Sequence, residues 1–163
     1  MKAATVHQLK SELVNKSSEE LVELCLRLSK FKKENKELLT YLLYESSDEI
    51  GYTESVKKEV DEEFENINAS NFYYIKKSIR KTLRSIKKYS RYSTRKDTEI
   101  ELLIHFCFKL KTFQPSIKHS LTLVNLYKRQ VLLIKKIVST LHEDLQHDYQ
   151  QQIEDLEHSF KDI

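Results

Sequence analysis

The sequence has 163 residues, of which 39% are hydrophobic and 33% are charged, and it contains one Gly and one Pro. That length suits one domain with a sizeable core, and the balance is typical of a helical protein with a heavily charged surface. So little Gly and Pro argues against sandwiches and barrels, which need many turn residues, and Gly51 alone cannot build the glycine-rich loop of a nucleotide site.

Helical periodicity begins close to the N-terminus. Apolar residues spaced by three and four predict a short first helix between Val6 and Leu13. Ser17 and Glu20 have the spacing of a capping box, in which each side chain binds the backbone N–H of the other residue, and they predict the start of a second helix. A third short helix is expected near residues 34–46.

The middle of the chain is divided by two polar breaks. The segment ESSDEIGYT (45–53) predicts the first break, and a fourth helix follows it, with Val56 and Phe64 on its apolar face. The segment NINASN (66–71) predicts the second break. A strongly basic helix is expected over residues 72–96.

Three further helices complete the predicted chain. The sixth covers about 97–113, is apolar around much of its circumference and is stopped at 114–116, where Pro115 is well placed to start the next element. The seventh, about 116–141, has two apolar faces, which predicts a central helix contacted from two sides.

The last helix, about 143–160, is polar apart from a narrow apolar stripe. A stripe of this width either lies across the domain or pairs with another chain. Its members are Leu145, Tyr149, Ile153, Leu156 and Phe160.

The expected fold class is therefore all-α, with seven or eight helices in a single domain, 1–163. Residues 143–163 are expected to form a peripheral or oligomerising C-terminal helix. The pairwise spacing of the helices is compatible with stacked helical hairpins of the α-solenoid kind and equally with an irregular bundle. No tetratricopeptide or ankyrin signature distinguishes the two.

The first third of the chain, LKSELVNKSSEELVELCLRLSKFKKENKELLTYLLYE, carries one resemblance. Its Leu-Lys-x-x-Leu helix, its Ser-x-Glu-Glu-Leu helix and its Lys-rich and Leu-Tyr-rich segments resemble uncharacterised helical proteins of bacteria. The resemblance implies a small helical domain and brings no known activity, cofactor or site residue.

Cys25 and Cys107 are the only cysteines, and both stand among Leu, Ile and Phe. This setting predicts two buried free thiols in a reducing, cytoplasmic compartment, with a disulfide as the alternative. No apolar run reaches the 18 residues of a membrane span, and the opening MKAATVHQLKSEL lacks the apolar core of a secretory signal.

Charge is distributed very unevenly along the chain. Residues 72–96 contain ten Lys or Arg and no acid, whereas residues 1–71 carry a net charge of −5 and residues 97–163 a net charge of −2. On a helix, the cations of residues 72–96 occupy an arc of about 140° beside an apolar arc of about 120°, with Tyr73 projecting among them. We name as the cationic strip the residues Lys76, Lys77, Arg80, Lys81, Arg84, Lys87, Lys88 and Arg91.

The cationic strip has two interpretations without a partner. In the first, it is a solvated helix face. In the second, it is neutralised internally by residues 45–65, which hold nine acids against two Lys and which fold back on the basic helix if NINASN makes a tight connection. Exposed ion pairs of that kind contribute only about 0–1 kcal/mol each.

Two other interpretations give the strip a partner. Spaced Lys and Arg neutralise phosphates without reading sequence, and Tyr73 could stack on an exposed base, which fits nonspecific nucleic-acid binding. Alternatively, the strip faces an acidic protein or, less in keeping with its Trp-free apolar face, an anionic membrane surface. The sequence favours a non-catalytic helical binding or scaffold protein directed at an acidic macromolecule, with nucleic-acid binding and structural self-association as alternatives.

The histidines do not form a recognisable catalytic or metal motif. His142 and His147 are five residues apart, whereas a zinc-binding helix places its two His four apart on one face. His105 and Cys107 are two apart and point to different sides of a helix. No catalytic residue, metal ligand or small-molecule cofactor is predicted.

Overall fold

The computed structural model describes residues 1–158, in which there are eight α-helices and no strand, so the all-α prediction is confirmed. Within this part of the chain, no helix is both long and apolar enough to cross a membrane. The helices are α1 (Val6–Val14), α2 (Ser18–Phe31), α3 (Lys33–Thr40), α4 (Glu49–Glu65), α5 (Phe72–Ser93), α6 (Lys96–Thr112), α7 (Leu121–Val138) and α8 (Glu143–His158).

The chain divides into two compact units, which are described separately. Unit 1 comprises Met1–Tyr44 and contains α1, α2 and α3. Unit 2 begins at Glu45 and contains α4 to α8. A π-helical segment, Tyr41–Glu45, follows α3 at the boundary. The prediction of one domain over residues 1–163 stays a prediction.

The first two helices of unit 1 begin at capping boxes. The predicted box at Ser17 is confirmed: its hydroxyl accepts the backbone N–H of Glu20 at 3.2 Å, and the Glu20 carboxylate accepts the backbone N–H of Ser17 at 2.8 Å. Thr5 and Gln8 form a second box at the start of α1. These reciprocal bonds satisfy backbone donors that a helix end otherwise leaves unpaired.

Unit 1 has very little core. None of α1, α2 and α3 contains a buried residue, and Tyr41 is the one buried apolar side chain of the unit. The prediction that Cys25 is buried is therefore wrong, because α3 covers the apolar face on which it lies only in part. Asn35 joins α3 to α2 through a 2.9 Å hydrogen bond from its side-chain amide to the carbonyl of Leu28.

In unit 2, α4 begins at Glu49, which lies inside the predicted break at 45–53. The side chain of Asp48 caps the helix by accepting the N–H of Gly51 at 3.0 Å. A Cβ at position 51 would lie only 2.3 Å from Asp48 Oδ2, so a glycine here keeps room for the cap. The second predicted break, NINASN, is confirmed between α4 and α5.

The helices of unit 2 pack as two successive hairpins and a final helix, α4/α5, α6/α7 and α8. Lys57 binds Glu101, and Asp61 binds His105; each pair is 44 residues apart, so α4 and α6 run in the same direction. Both stacked hairpins and a bundle lay within the predicted fold class, and the contacts of unit 2 have the hairpin arrangement.

The helix with the most packing partners is α6 rather than the predicted 116–141. It contacts α4, α5, α7 and α8. Its apolar circumference buries side chains toward all of them, including Ile100, Leu103 and Phe106. By contrast, α7 starts only at Leu121, because a short 3₁₀ turn at Ile117–His119 precedes it. Pro115, joined to Gln114 by a cis peptide bond, therefore does not start α7 as predicted.

The C-terminal half of the stripe of α8 packs inside unit 2, whereas Leu145 is exposed. Ile153 and Leu156 are buried, and the buried hydroxyl of Tyr127 in α7 donates a 2.8 Å hydrogen bond to the carbonyl of Leu156. This favours the alternative in which the stripe lies across the domain. Phe160, its fifth member, lies outside the described residues, and the oligomerising role of residues 143–163 stays a prediction.

Candidate functional site

The cationic strip is carried by α5, whose ends and register are well defined. The Asn71 side chain caps the start by accepting the backbone N–H groups of Tyr73 and Tyr74, at 2.8 and 3.3 Å. Thr94 ends the helix in a left-handed conformation, with φ of 60°. On the adjoining apolar face, Ile75 and Ile79 are fully buried, which fixes the rotation of α5 in unit 2.

The rotation of α5 turns the cationic strip outward. Lys76 and Lys88, at its two edges, are half-buried, and its other six members are exposed. Tyr73 is also exposed, and its ring packs edge-on against Tyr74 with centroids 5.4 Å apart. The structure thus brings all the predicted binding residues to one surface.

Seven of the eight strip residues form no ion pair with any residue from 1 to 158. The eighth, Lys88, places its ammonium 4.5 Å from the centroid of the Tyr89 ring, which is cation–π geometry. Exposed Lys and Arg side chains without a carboxylate partner leave a concentrated positive potential along the outer face of α5.

The expected internal neutralisation by α4 is not found for those seven residues. The two helices do pack together, but acids of α4 bind hydroxyl groups of α5: Tyr89 donates to Glu59 at 2.8 Å, and Ser93 donates to Glu49. The Tyr52 hydroxyl adds a bond to the carbonyl of Tyr89 at 3.0 Å. These contacts lock α4 to α5 and leave the positive charge outside.

Lys57 and Asp61 of α4 make charged contacts with α6, and Lys57 also pairs with Glu54 of its own helix. Lys57 lies 2.7 Å from Glu54 and 2.9 Å from Glu101; burial tends to lower the pKa of Lys57, but these two pairs raise it overall. Asp61 Oδ1 lies 2.7 Å from His105 Nε2 and 3.1 Å from Lys109 Nζ. Burial acts to raise the pKa of Asp61, and its two partners more than offset this and lower it.

A groove of about 840 Å³ follows α4, α6 and α8. It is lined by polar side chains such as Lys57 and His105, by the ring of Phe108 and, from α8, by Tyr149. Burial, aided by nearby carboxylates, raises the pKa of Tyr149. Sequence reasoning missed this groove because its walls come from three helices, and no local motif signals it.

The candidate residues for other chemistry are dispersed. Cys107 is a free, buried thiol, as predicted, and burial raises its pKa to about 12. His142 and His147 are both exposed on or just before α8. In the part of the chain that the structure describes, no group of three His, Cys, Asp or Glu side chains could hold a metal ion.

Comparison of the chain with protein-family models, with curated proteins and with solved structures finds no match.

Proposed function

We propose that this chain is a non-catalytic binding or scaffold protein whose cationic strip docks an acidic protein partner. One observation carries the proposal. Seven cations stand on the outer face of one helix without a carboxylate partner among residues 1–158, and four acids of the neighbouring helix, Glu49, Glu54, Glu59 and Asp61, bind other groups.

The strip suits a partner with spaced negative charges. The strip lies on one helix, which holds its cations at successive turns about 5.4 Å apart along the axis. Several contacts can therefore form without an entropic cost for ordering the backbone of this chain. Each exposed contact contributes only about 0–1 kcal/mol, so affinity depends on many contacts and declines as salt screens them.

The proposal can be tested with labelled poly-glutamate as a simple acidic chain. We expect fluorescence anisotropy to show binding at about 50 mM salt that weakens at about 200 mM, because screening lengths shorten over that range. Reversing three exposed strip charges, in Arg80→Glu, Arg84→Glu, Lys87→Glu, should abolish binding without changing the circular dichroism spectrum.

A matched control variant distinguishes an effect of the cationic strip on binding from an effect of the total charge of the chain. Lys118, Lys128 and Arg129 are exposed elsewhere in unit 2, and changing all three to Glu alters the total charge by the same amount. We expect this variant to bind poly-glutamate nearly as well as the wild type. Equal losses in the two triple variants would show that net charge alone attracts the probe, and the strip would lose its role.

Nucleic acid is a second candidate, favoured by one specific feature. Tyr73 is exposed, and it lies one turn from Lys76 and Lys77, where a ring could stack on an unpaired base while the cations meet phosphates. Labelled single-stranded oligonucleotides in the same assay test this. Tighter binding than poly-glutamate, reduced in Tyr73→Ala, would favour nucleic acid over an acidic protein.

A further inference from the structure

Packing within unit 1 does not explain why its three helices are stable. Its three helices have 9, 14 and 8 residues, and none contains a buried side chain. Isolated helices of this length are marginal in water, and most helical stability in proteins comes from burying an apolar face. Although α2 packs against α3, most of its apolar side chains remain exposed and have less cover than such a helix needs.

One uncovered face of α2 is centred on Val22 and Leu26, which are 57% and 49% exposed. At about 100° per residue these side chains lie on one side of the helix, and Glu19 and Lys30 both lie just beyond Leu26, within about 20° of each other. The face thus has an apolar centre and, along one edge, an acid near its start and a cation near its end.

Charge along α2 is segregated in the same way. Glu19 and Glu23 lie in the first half of the helix and Arg27 and Lys30 in the second, and none of the four forms an ion pair within residues 1–158. A second α2 running antiparallel would set each acidic half beside a basic half. A parallel copy would set like charges together, which is unfavourable.

We propose that two copies of this chain associate through α2, paired antiparallel across the face centred on Val22 and Leu26. In this pairing the twofold axis passes near the middle of α2, and Glu19 of each copy meets Lys30 of the other. Both apolar centres are covered by the same contact, as in any isologous interface. The surface lies in unit 1, so this inference does not depend on the cationic strip.

The first test measures the mass of the full chain by light scattering and sedimentation. We expect a dimer, and we expect Leu26→Glu to reduce the mass to that of one chain because it places a carboxylate in the apolar centre. Leu132→Glu is the matched control: Leu132 is 64% exposed on α7 in unit 2, and its replacement should leave the dimer intact. A wild-type monomer, or a dimer that survives Leu26→Glu, would overturn the proposal.

Charge exchange tests the direction of the pairing. Lys30→Glu should weaken the dimer, since two acids then face each other at each end, and Glu19→Lys combined with Lys30→Glu should restore it. In a parallel pair, Lys30 of each copy lies level with Lys30 of the other and far from either Glu19, so the single change would remove no contact between opposite charges. A dimer that is unaffected by Lys30→Glu therefore contradicts antiparallel pairing.

A thiol probe checks the register in the same samples. Cys25 is exposed near the middle of α2, close to the expected axis, whereas Cys107 is fully buried in α6. A short bis-maleimide should therefore link two chains through Cys25, with loss of the product in Cys25→Ser and in Leu26→Glu. A stable dimer that is not linked would show that α2 does not lie at the axis.

Discussion

The two units use similar sequence patterns with different results. Both have amphipathic helices, some of which begin at a side-chain cap, yet 24 of the 25 apolar side chains buried within residues 1–158 belong to unit 2. Apolar spacing specifies which face of a helix can be buried, and caps specify where the helix begins. Whether the face is buried depends on how many other helices surround it, and a unit of 44 residues provides few.

The largest expected contrast uses two phenylalanines. Phe106 is fully buried in α6, and Phe31 is 77% exposed at the end of α2. Phe106→Ala should lower the free energy of unfolding of unit 2 by about 3–5 kcal/mol, because it removes buried apolar contacts and leaves a cavity.

Phe31→Ala should change the free energy of unfolding by no more than about 0.5 kcal/mol in the monomer. Urea unfolding followed by circular dichroism measures both variants. If the two alanine variants lost similar stability, unit 1 would have a core comparable to that of unit 2, and the contrast would be wrong.

A smaller effect is expected from a pair of tyrosines. Tyr127→Phe removes the hydroxyl that joins α7 to the carbonyl of Leu156 and leaves that carbonyl without this partner, which should cost about 1–3 kcal/mol. Tyr44→Phe, at an exposed position in unit 1, provides the matched control and should be close to neutral. Chemical denaturation of both variants would reveal whether α8 is held by this bond; equal stability would show that it is not.

The smallest expected effect depends on pH. The pKa of Asp61 is below its ordinary value of 3.8, so its ionised form is stabilised by folding. The resulting stability is present above pH 3.8 and is lost as the pH falls through the lower folded-state value. Between about pH 5 and pH 3, the wild type should therefore lose more stability than Asp61→Asn.

Asp148→Asn is the control for that experiment, since Asp148 is exposed on α8 and forms no ion pair among the residues described. It should lose stability with acid as the wild type does. Parallel stability curves for all three proteins would contradict a stabilising role for the contacts of Asp61 with His105 and Lys109.

Features that depend only on residues close together in the sequence could be predicted correctly. The capping box at Ser17 needs only residues three apart, and the break at NINASN needs only polar residues with weak helix preference, so both could be predicted. The predicted start of α7 failed at Pro115. A proline favours the first turn of a helix, but it does not require one, and a separate 3₁₀ turn follows it.

Tertiary burial was harder to predict. Cys25 and Cys107 have similar apolar neighbours in sequence, yet one is exposed and the other buried, because only α6 is surrounded by other helices. For the same reason, the prediction that helix 116–141 is central is wrong, since α6 contacts more helices. The predicted helix 116–141 has two apolar faces, but α6 is apolar around much of its circumference, which is the stronger sign of contact with several helices.

The side of α5 that carries the exposed cations could be predicted from the sequence, whereas the contacts made by the neighbouring acids could not. A helical wheel correctly separated the buried Ile75 and Ile79 from the exposed cations of the strip. It could not show that acids such as Glu59 bind a hydroxyl of α5 instead of its cations, because that choice depends on the rotation of α4.

The position of α6 has a consequence for how unit 2 opens. Since α6 packs against α4, α5, α7 and α8, neither hairpin can detach without exposing buried side chains of α6. Opening is then expected to be concerted across unit 2. The backbone amides of α6 should exchange with deuterated solvent only through that global event, far more slowly than those of α2.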